Sequence, residues 1–259
     1  MSDTVRYEVR DRVAVITIDR PGVRNAMDRS VFAGLTAAGR RAGLDPEARA
    51  VVVTGAGDTF SSGIDVSIFT EGEGLAPLTA DVTFFQEAFT VFEEISKPTI
   101  AAVTGPAFGG GFQLAIACDL RVATEDAAFS VMETRWGIIP DLGATHRLPR
   151  LIGLGRAKDL AFTGRIIDGR EAEALGLVER LVPPGEHHDQ ALSWAAELAS
   201  GPPLALSGIK RLMNASFSEP VRTGLEREEM VQRRILASSD FAEAVRARMT
   251  KQEPRYRGR

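Results

Sequence analysis

The chain has little of what disulfide-built, metal-dependent or nucleic-acid-binding proteins rely on. It contains one cysteine in 259 residues, Cys118, so no internal disulfide can form. The run Ala115-Ile116-Ala117-Cys118 reads it as a small buried hydrophobe rather than a reactive thiol, and a reducing, cytoplasmic setting fits. Histidine is limited to His146, His187 and His188, the last two in a polar connection, and no metal site is expected. Nothing matches the hydrolase nucleophile elbow, the zincin helix or the phosphate-binding loop. Positive charge is in deficit, with 31 Lys and Arg against 35 Asp and Glu. That balance provides no general attraction for phosphodiester backbones, which argues against nucleic acid as a partner. The N-terminus, residues 1–6, lacks the basic and apolar regions of a signal peptide. The only uncharged run near the ~20 residues of a membrane helix is residues 98–118. Pro106, Gly109, Gly110, Gly111 and Gln113 interrupt it, so it reads as strand, turn and buried helix, with no membrane span.

Hydrophobic residues at 44% and charged residues at 25% are what a globular chain with a large core requires. Residues 5–18 alternate in the strand manner, with Val13, Val15 and Ile18 as inward positions. Apolar β-rich runs follow at 50–54, 99–103 and 120–123, each closed by a turn or by a change of character. Helical patterns at 28–44, 81–95 and 111–117 separate them, which predicts βα crossovers and buried parallel strands. Beyond about residue 150 helical patterns dominate, at 156–163, 170–175, 189–199, 204–215, 220–237 and 241–249. Asp168 and the pair Ser239-Asp240 are expected to cap two of these helices. Gly153-Leu154-Gly155 begins like a dinucleotide fingerprint but follows no clear strand, so it reads as a turn leading into a helix. The stretch 70–78, rich in glycine and glutamate, is the best candidate for a mobile loop.

Two glycine-rich turns each follow an apolar strand. One is Gly55-Ala-Gly-Asp-Thr-Phe-Ser-Ser-Gly63-Ile64-Asp65 and the other is Gly105-Pro-Ala-Phe-Gly109-Gly110-Gly111-Phe-Gln113. Glycine lets backbone approach a ligand closely, so two such turns can aim amide hydrogens at one point. Gly110 also opens a helical pattern, where free N–H groups and the helix dipole favour an oxyanion. Each turn taken alone is equally consistent with a tight structural turn.

The two turns in this order resemble the enoyl-CoA hydratase/isomerase (crotonase) family. Its motifs here are Phe60-Ser-Ser-Gly-Ile-Asp65, Gly105-Pro-Ala-Phe-Gly-Gly-Gly111 and Glu133-Thr-Arg-Trp-Gly-Ile-Ile-Pro-Asp141. The likeness continues through Arg20 to Ala26, Arg147 to Gly153, Thr163 to Arg165, Ala174 to Val178 and Lys251 to Arg259. It implies an α/β fold of the crotonase type, a spiral of ββα units. The core is expected over residues 1–200, and a C-terminal helical region over 201–259 that serves trimerisation and covers the active site. It implies an acyl-CoA thioester as substrate, with coenzyme A part of that substrate and no separate cofactor, and a homotrimer or dimer of trimers. The backbone N–H groups of Ile64 and Gly110 become the oxyanion hole for the thioester carbonyl. Arg24, Ala26, Ser62, Gly63, Ile64 and Asp65 become contacts to the substrate and coenzyme A, with Gly109, Gly110, Gln113 and Pro140 completing the site. Asp65 reads equally as a cap for the turn after it.

Hydratases of the family commonly flank a water with two glutamates. The corresponding positions here hold Gln113 and Glu133, and a glutamine cannot exchange a proton near neutral pH. Asp141 supplies a second carboxylate elsewhere, and dienoyl-CoA isomerases are similar at both Glu133 and Asp141. The resemblance therefore implies Glu133 and Asp141 as proton carriers in a double-bond isomerisation, with hydration by Glu133 as the alternative. A catalytically weak acyl-CoA-binding protein is a third reading. Asp141 can also be a helix cap toward His146. Phe69, Phe84, Phe85, Phe89 and Trp136 are candidates for an acyl pocket or for the core. The clustered Lys251, Arg255, Arg257 and Arg259 read either as contacts to coenzyme A phosphates or as a solvated tail.

Overall fold

A computed structural model describes residues 4–69 and 82–259 of the chain; the stretch 70–78 lies outside them. A six-stranded sheet runs in the order β1 (Val5–Arg10), β2 (Val13–Ile18), β3 (Ala50–Gly55), β4 (Thr99–Val103), β6 (Leu120–Thr124) and β9 (Arg180–Val182). Only the β1–β2 pair is antiparallel. A smaller sheet orders β5 (Pro106–Phe108), β7 (Ala128–Ser130) and β8 (Ile167–Asp168).

The single alternating run read over 5–18 is in fact a hairpin. Asp11 and Arg12 both take positive φ, 47° and 66°, and reverse the chain without the glycine or asparagine that ordinarily marks such a turn. Nor does β2 have one inward face, because all six of its residues are buried. Ala14, Ile16 and Ile18 join the core under α1 (Arg29–Leu44), while Val13 and Val15 pack with Val52, Ile100 and Val122. This second set is covered by Ala191, Ala195 and Ala199 of α7 (His187–Ser200). Burial on both faces is what continuous apolar, β-branched strands require.

Helix α1 starts at its cap Asp28, whose Oδ1 accepts from the Val31 N–H at 3.0 Å. Its buried stripe of Val31, Phe32, Leu35, Ala38 and Ala42 meets α2 (Val82–Glu94), where Phe85 and Phe89 stack against Phe32. Phe85 and Phe89 are thus core, and Phe84 is partly buried against it. Between β5 and β6 lies α3 (Gly110–Ala117), buried over its whole length. A strand of the large sheet leading into one of the small sheet and then a helix is the repeating ββα unit of the fold.

The remaining helices are α4 (Ala144–Ile152), α5 (Leu154–Thr163), α6 (Gly169–Leu175), α8 (Pro203–Ala215), α9 (Val221–Leu236) and α10 (Ser239–Thr250). Gly153 joins α4 to α5. Asp168 caps α6, but the cap of α10 is Ser238 rather than Ser239-Asp240. Asp141 does not cap α4, whose N-cap is Gly143 with no side-chain bond. No helix among the described residues is long and apolar enough to cross a membrane.

The C-terminal tail is tied down and not a frayed strand in solvent. The Arg257 and Gly258 N–H groups donate to the buried Asp240 carboxylate at 2.6 and 2.8 Å, and Arg49 donates to the Tyr256 carbonyl at 2.8 Å.

Candidate active site

Parallel pairing places the turns of three successive ββα units side by side. Ser61 bridges to Ala107, and Ala107 pairs with Phe129. Three residues beyond each paired position stand Ile64, Gly110 and Met132, with Glu133 next.

In the first unit the Gly63 carbonyl accepts from the Met27 N–H at 2.8 Å, and the Asp65 N–H donates to the Met27 carbonyl at 2.9 Å. A trans, planar Gly63–Ile64 peptide then directs the Ile64 N–H away from Met27, where it has no hydrogen-bond partner among the described residues. In the second unit the Gly109 carbonyl accepts the first helical bond of α3, from the Gln113 N–H at 3.0 Å. The Gly110 N–H therefore points out of the helix start, one of the donors every helix leaves open. A Cβ built on Gly110 would stand 3.6 Å from the Ile64 nitrogen and 2.8 Å from Met27 Cε. One built on Gly63, whose φ is +103°, would stand 3.5 Å from the Gly110 nitrogen and 2.8 Å from the Phe108 carbonyl. Glycine at position 63 is thus required by backbone contact and positive φ, and the two open amides are neighbours.

The third unit brings in Glu133, on the 3-10 turn Met132–Trp136. A Cβ on Gly109 would come within 3.4 Å of its Oε1, so this carboxylate borders the same turn as the Gly110 amide. Its Oε1 accepts from Gln113 Nε2 at 2.7 Å, and its Oε2 is buried without a partner among the described residues. Burial raises the Glu133 carboxyl above its ordinary range, and the charge of Asp141 adds to the rise, while the Gln113 hydrogen bond opposes it. Burial likewise raises Asp141.

These groups open on a cleft of about 380 Å³. Ala26, Ser62, Gly63, Ile64, Asp65, Gly109, Gly110 and Glu133 line it, as expected residues, together with Phe69 and Trp136 from the candidate acyl set. Ile138, from the Glu133–Asp141 motif, lines it too, as do Val23, Val66 and Met132, which were not singled out from the sequence. Met132 follows from strand register, which single-sequence reading does not provide.

Four expected residues are not among the described lining. Arg24 is exposed, with its carbonyl accepting from the Ser62 N–H at 2.9 Å, and Pro140 is buried. Gln113 is buried behind Glu133. Asp141 is half-buried on the next turn, where Gln86 Nε2 donates to its carbonyl at 2.6 Å. Asp65 both lines the cleft and caps the following turn, since its Oδ1 accepts from the Ser67 N–H at 3.1 Å. That N–H, and then Arg20 at 2.9 Å, hold its carboxyl below the usual range. Asn25 has a structural task, because its side chain joins the Arg20 N–H to the Ala56 and Thr59 carbonyls. No group of three or more histidine, cysteine, aspartate or glutamate side chains among the described residues is arranged to hold a metal ion.

Residues 8–259 match the model of the enoyl-CoA hydratase/isomerase family. The chain belongs to that family. Family members act on acyl-CoA thioesters, and this one is an enzyme of the same kind. It is 39% identical to a probable enoyl-CoA hydratase of Rhodobacter capsulatus, over 99% of this chain and 98% of that protein. It is 34% identical to the peroxisomal Delta(3,5)-Delta(2,4)-dienoyl-CoA isomerase of Arabidopsis thaliana, over 98% and 96%. Among solved structures, the enoyl-CoA hydratase of Bacillus anthracis superposes with a TM-score of 0.95 at 32% identity, covering 99% of this chain and all of that one. The crotonase fold expected from the motifs is the fold of this family member.

Proposed function

We propose that the chain shifts a carbon–carbon double bond in an enoyl- or dienoyl-CoA thioester, with Glu133 and Asp141 as proton carriers. The observation that carries this reading is the pairing of the buried Glu133 with a neutral partner. The glutamate of a two-carboxylate hydration site is replaced by Gln113, whose amide is bonded to Glu133, while the other carboxyl acting on Glu133 is Asp141. The thioester oxygen sits between the Ile64 and Gly110 N–H groups. Glu133 Oε2 takes a proton from carbon, the electron pair passes into the carbonyl, and the enolate oxygen is held by the two amides. When the carbonyl re-forms, Asp141 delivers a proton farther along the chain and the double bond moves. Each such donor contributes about 2.7–4 kcal/mol in comparable sites. The reaction needs no cofactor beyond the coenzyme A of its substrate.

Helix α9 buries none of its residues in the single chain and exposes Leu225 and Met230. This supports a homotrimer or a dimer of trimers, assembled through a C-terminal helical region at 201–259 beside a core at 1–200.

The second reading is hydration of a 2-enoyl-CoA by Glu133 alone, favoured by its buried Oε2, unpartnered among the described residues. Purified enzyme assayed with a 3,5-dienoyl-CoA and with crotonyl-CoA separates the two. Isomerisation to the conjugated dienoyl product is expected to be the faster reaction. Rapid loss of crotonyl-CoA with an inert dienoyl substrate would establish the hydratase.

A further inference from the structure

Gln113 is the largest departure from the hydration pattern, and its surroundings give it a definite orientation. Its Oε1 faces two backbone donors, the N–H groups of Leu142 at 2.9 Å and Ala144 at 3.1 Å. Only an oxygen can accept both, so the amide nitrogen must face Glu133, where it donates to Oε1 at 2.7 Å. The side chain is buried, 1% exposed, and it bridges Glu133 to the turn that carries Asp141. That turn is held from two more sides. Gln86 Nε2 donates to the Asp141 carbonyl, and Arg147 donates to the Leu142 carbonyl at 2.6 Å while its guanidinium is paired with Glu93.

Resting on the isomerase reading above, we infer that Gln113 is a positioning residue that assigns the two oxygens of Glu133 to different tasks. Oε1 is anchored by the Gln113 amide, and Oε2 alone exchanges protons with the substrate. The same amide fixes the spacing between Glu133 and the Asp141 turn, so one neutral side chain aligns both proton carriers. A carboxylate at position 113 would undo this. Its one oxygen would still meet the Leu142 and Ala144 N–H groups, but the other would face Glu133 Oε1 at hydrogen-bond distance. Two carboxylates in that contact must share a proton, so Glu133 would hold its proton to higher pH.

The charged groups around Glu133 among the described residues leave this effect readable. Asp141 lies on the clamped turn, Asp65 across the cleft is paired with Arg20, and Arg147 on α4 is paired with Glu93. Arg135, on the same 3-10 turn as Glu133, and His146, on α4, are exposed.

The test is the titration of Glu133, followed by infrared difference spectroscopy against Glu133→Gln, in the unaltered enzyme and in Gln113→Glu and Gln113→Met. This measurement needs no turnover, so its outcome is independent of which reaction the enzyme catalyses. Gln113→Met keeps the length but removes the donor that stabilises the Glu133 carboxylate. Both variants are expected to move the Glu133 titration to higher pH, Gln113→Glu by about one unit or more. The acid limb of kcat/KM for the enzyme's substrate is expected to move with it, a shift that mere loosening of the fold does not produce. A Glu133 titration unchanged in either folded variant would overturn the inference. If instead the titration shifts as expected and no dienoyl-CoA is isomerised, the isomerase reading fails and the positioning role stands.

Discussion

At the scale of single residues, Glu133 is buried beside the turn that carries the Gly110 amide. Burial raises its carboxyl above the ordinary range, with Asp141 adding to the effect. A carboxyl raised in the folded state stabilises the fold at pH below its ordinary value, and that contribution is lost as pH rises through the raised value. Glu133→Gln removes this titration. Relative to the unaltered enzyme its Tm is expected to be higher at about pH 8 than at about pH 4, and turnover is expected to fall about 10²–10⁴-fold. Thermal melts at the two pH values check the first expectation, and an identical Tm difference at both would contradict it. Glu133 was legible as a cleft residue because it belongs to a short motif, whereas Asp141 of the same motif is not among the described residues lining the cleft. Val23 and Met132 were not legible, since they reach the cleft only through the pairing of distant strands. Asn25 is buried and joined to three backbone groups, a structural task that its place in the Arg20 to Ala26 segment does not reveal.

At the scale of elements, the site depends on how closely α3 approaches the segment around Ser61. A Cβ at Gly111 would collide with the Ser61 carbonyl and come within 2.9 Å of the Ser61 side chain. Gly111→Ala is therefore expected to push the start of α3 away and separate the Gly110 amide from that of Ile64. Overpacking of this kind costs about 1–3 kcal/mol, and weakening one oxyanion donor costs about 10²–10³ in kcat. Steady-state kinetics showing KM nearly unchanged and kcat reduced is the expected signature; kcat equal to that of the unaltered enzyme would contradict the role of this contact. The strands at 50–55, 99–103 and 120–124 were readable because burial on both faces leaves uninterrupted apolar runs. The hairpin of β1 and β2 was not, because strand alternation continues through Asp11 and Arg12, whose charged side chains give no sign of their positive φ. The short strands β8 and β9 lie in a helical stretch and carry no pattern of their own.

At the scale of the whole molecule, the cleft and the C-terminal tail lie at opposite ends of α1. The cleft wall includes Ala26 beside the α1 cap, whereas Arg257 and Gly258 share a groove with Leu44 and Pro203 at the far end. Sixteen residues at 1.5 Å each put those ends about 24 Å apart. Removing the residues after Glu253 deprives the buried Asp240 carboxylate of two N–H donors. The truncated enzyme is expected to melt about 5 °C lower with unchanged affinity for a CoA thioester. A loss of affinity with no loss of Tm would show instead that the tail serves the coenzyme A of a neighbouring subunit.

On the isomerase proposal Asp141 works with Glu133 across the acyl chain from outside the described lining of the cleft. The most direct measurement is the kcat of Asp141→Asn with a 3,5-dienoyl-CoA, because asparagine keeps the size and hydrogen bonding of aspartate while removing its proton. A fall of about 10²–10⁴-fold is expected, with substrate affinity and Tm close to those of the unaltered enzyme. Full isomerase activity in Asp141→Asn would contradict it.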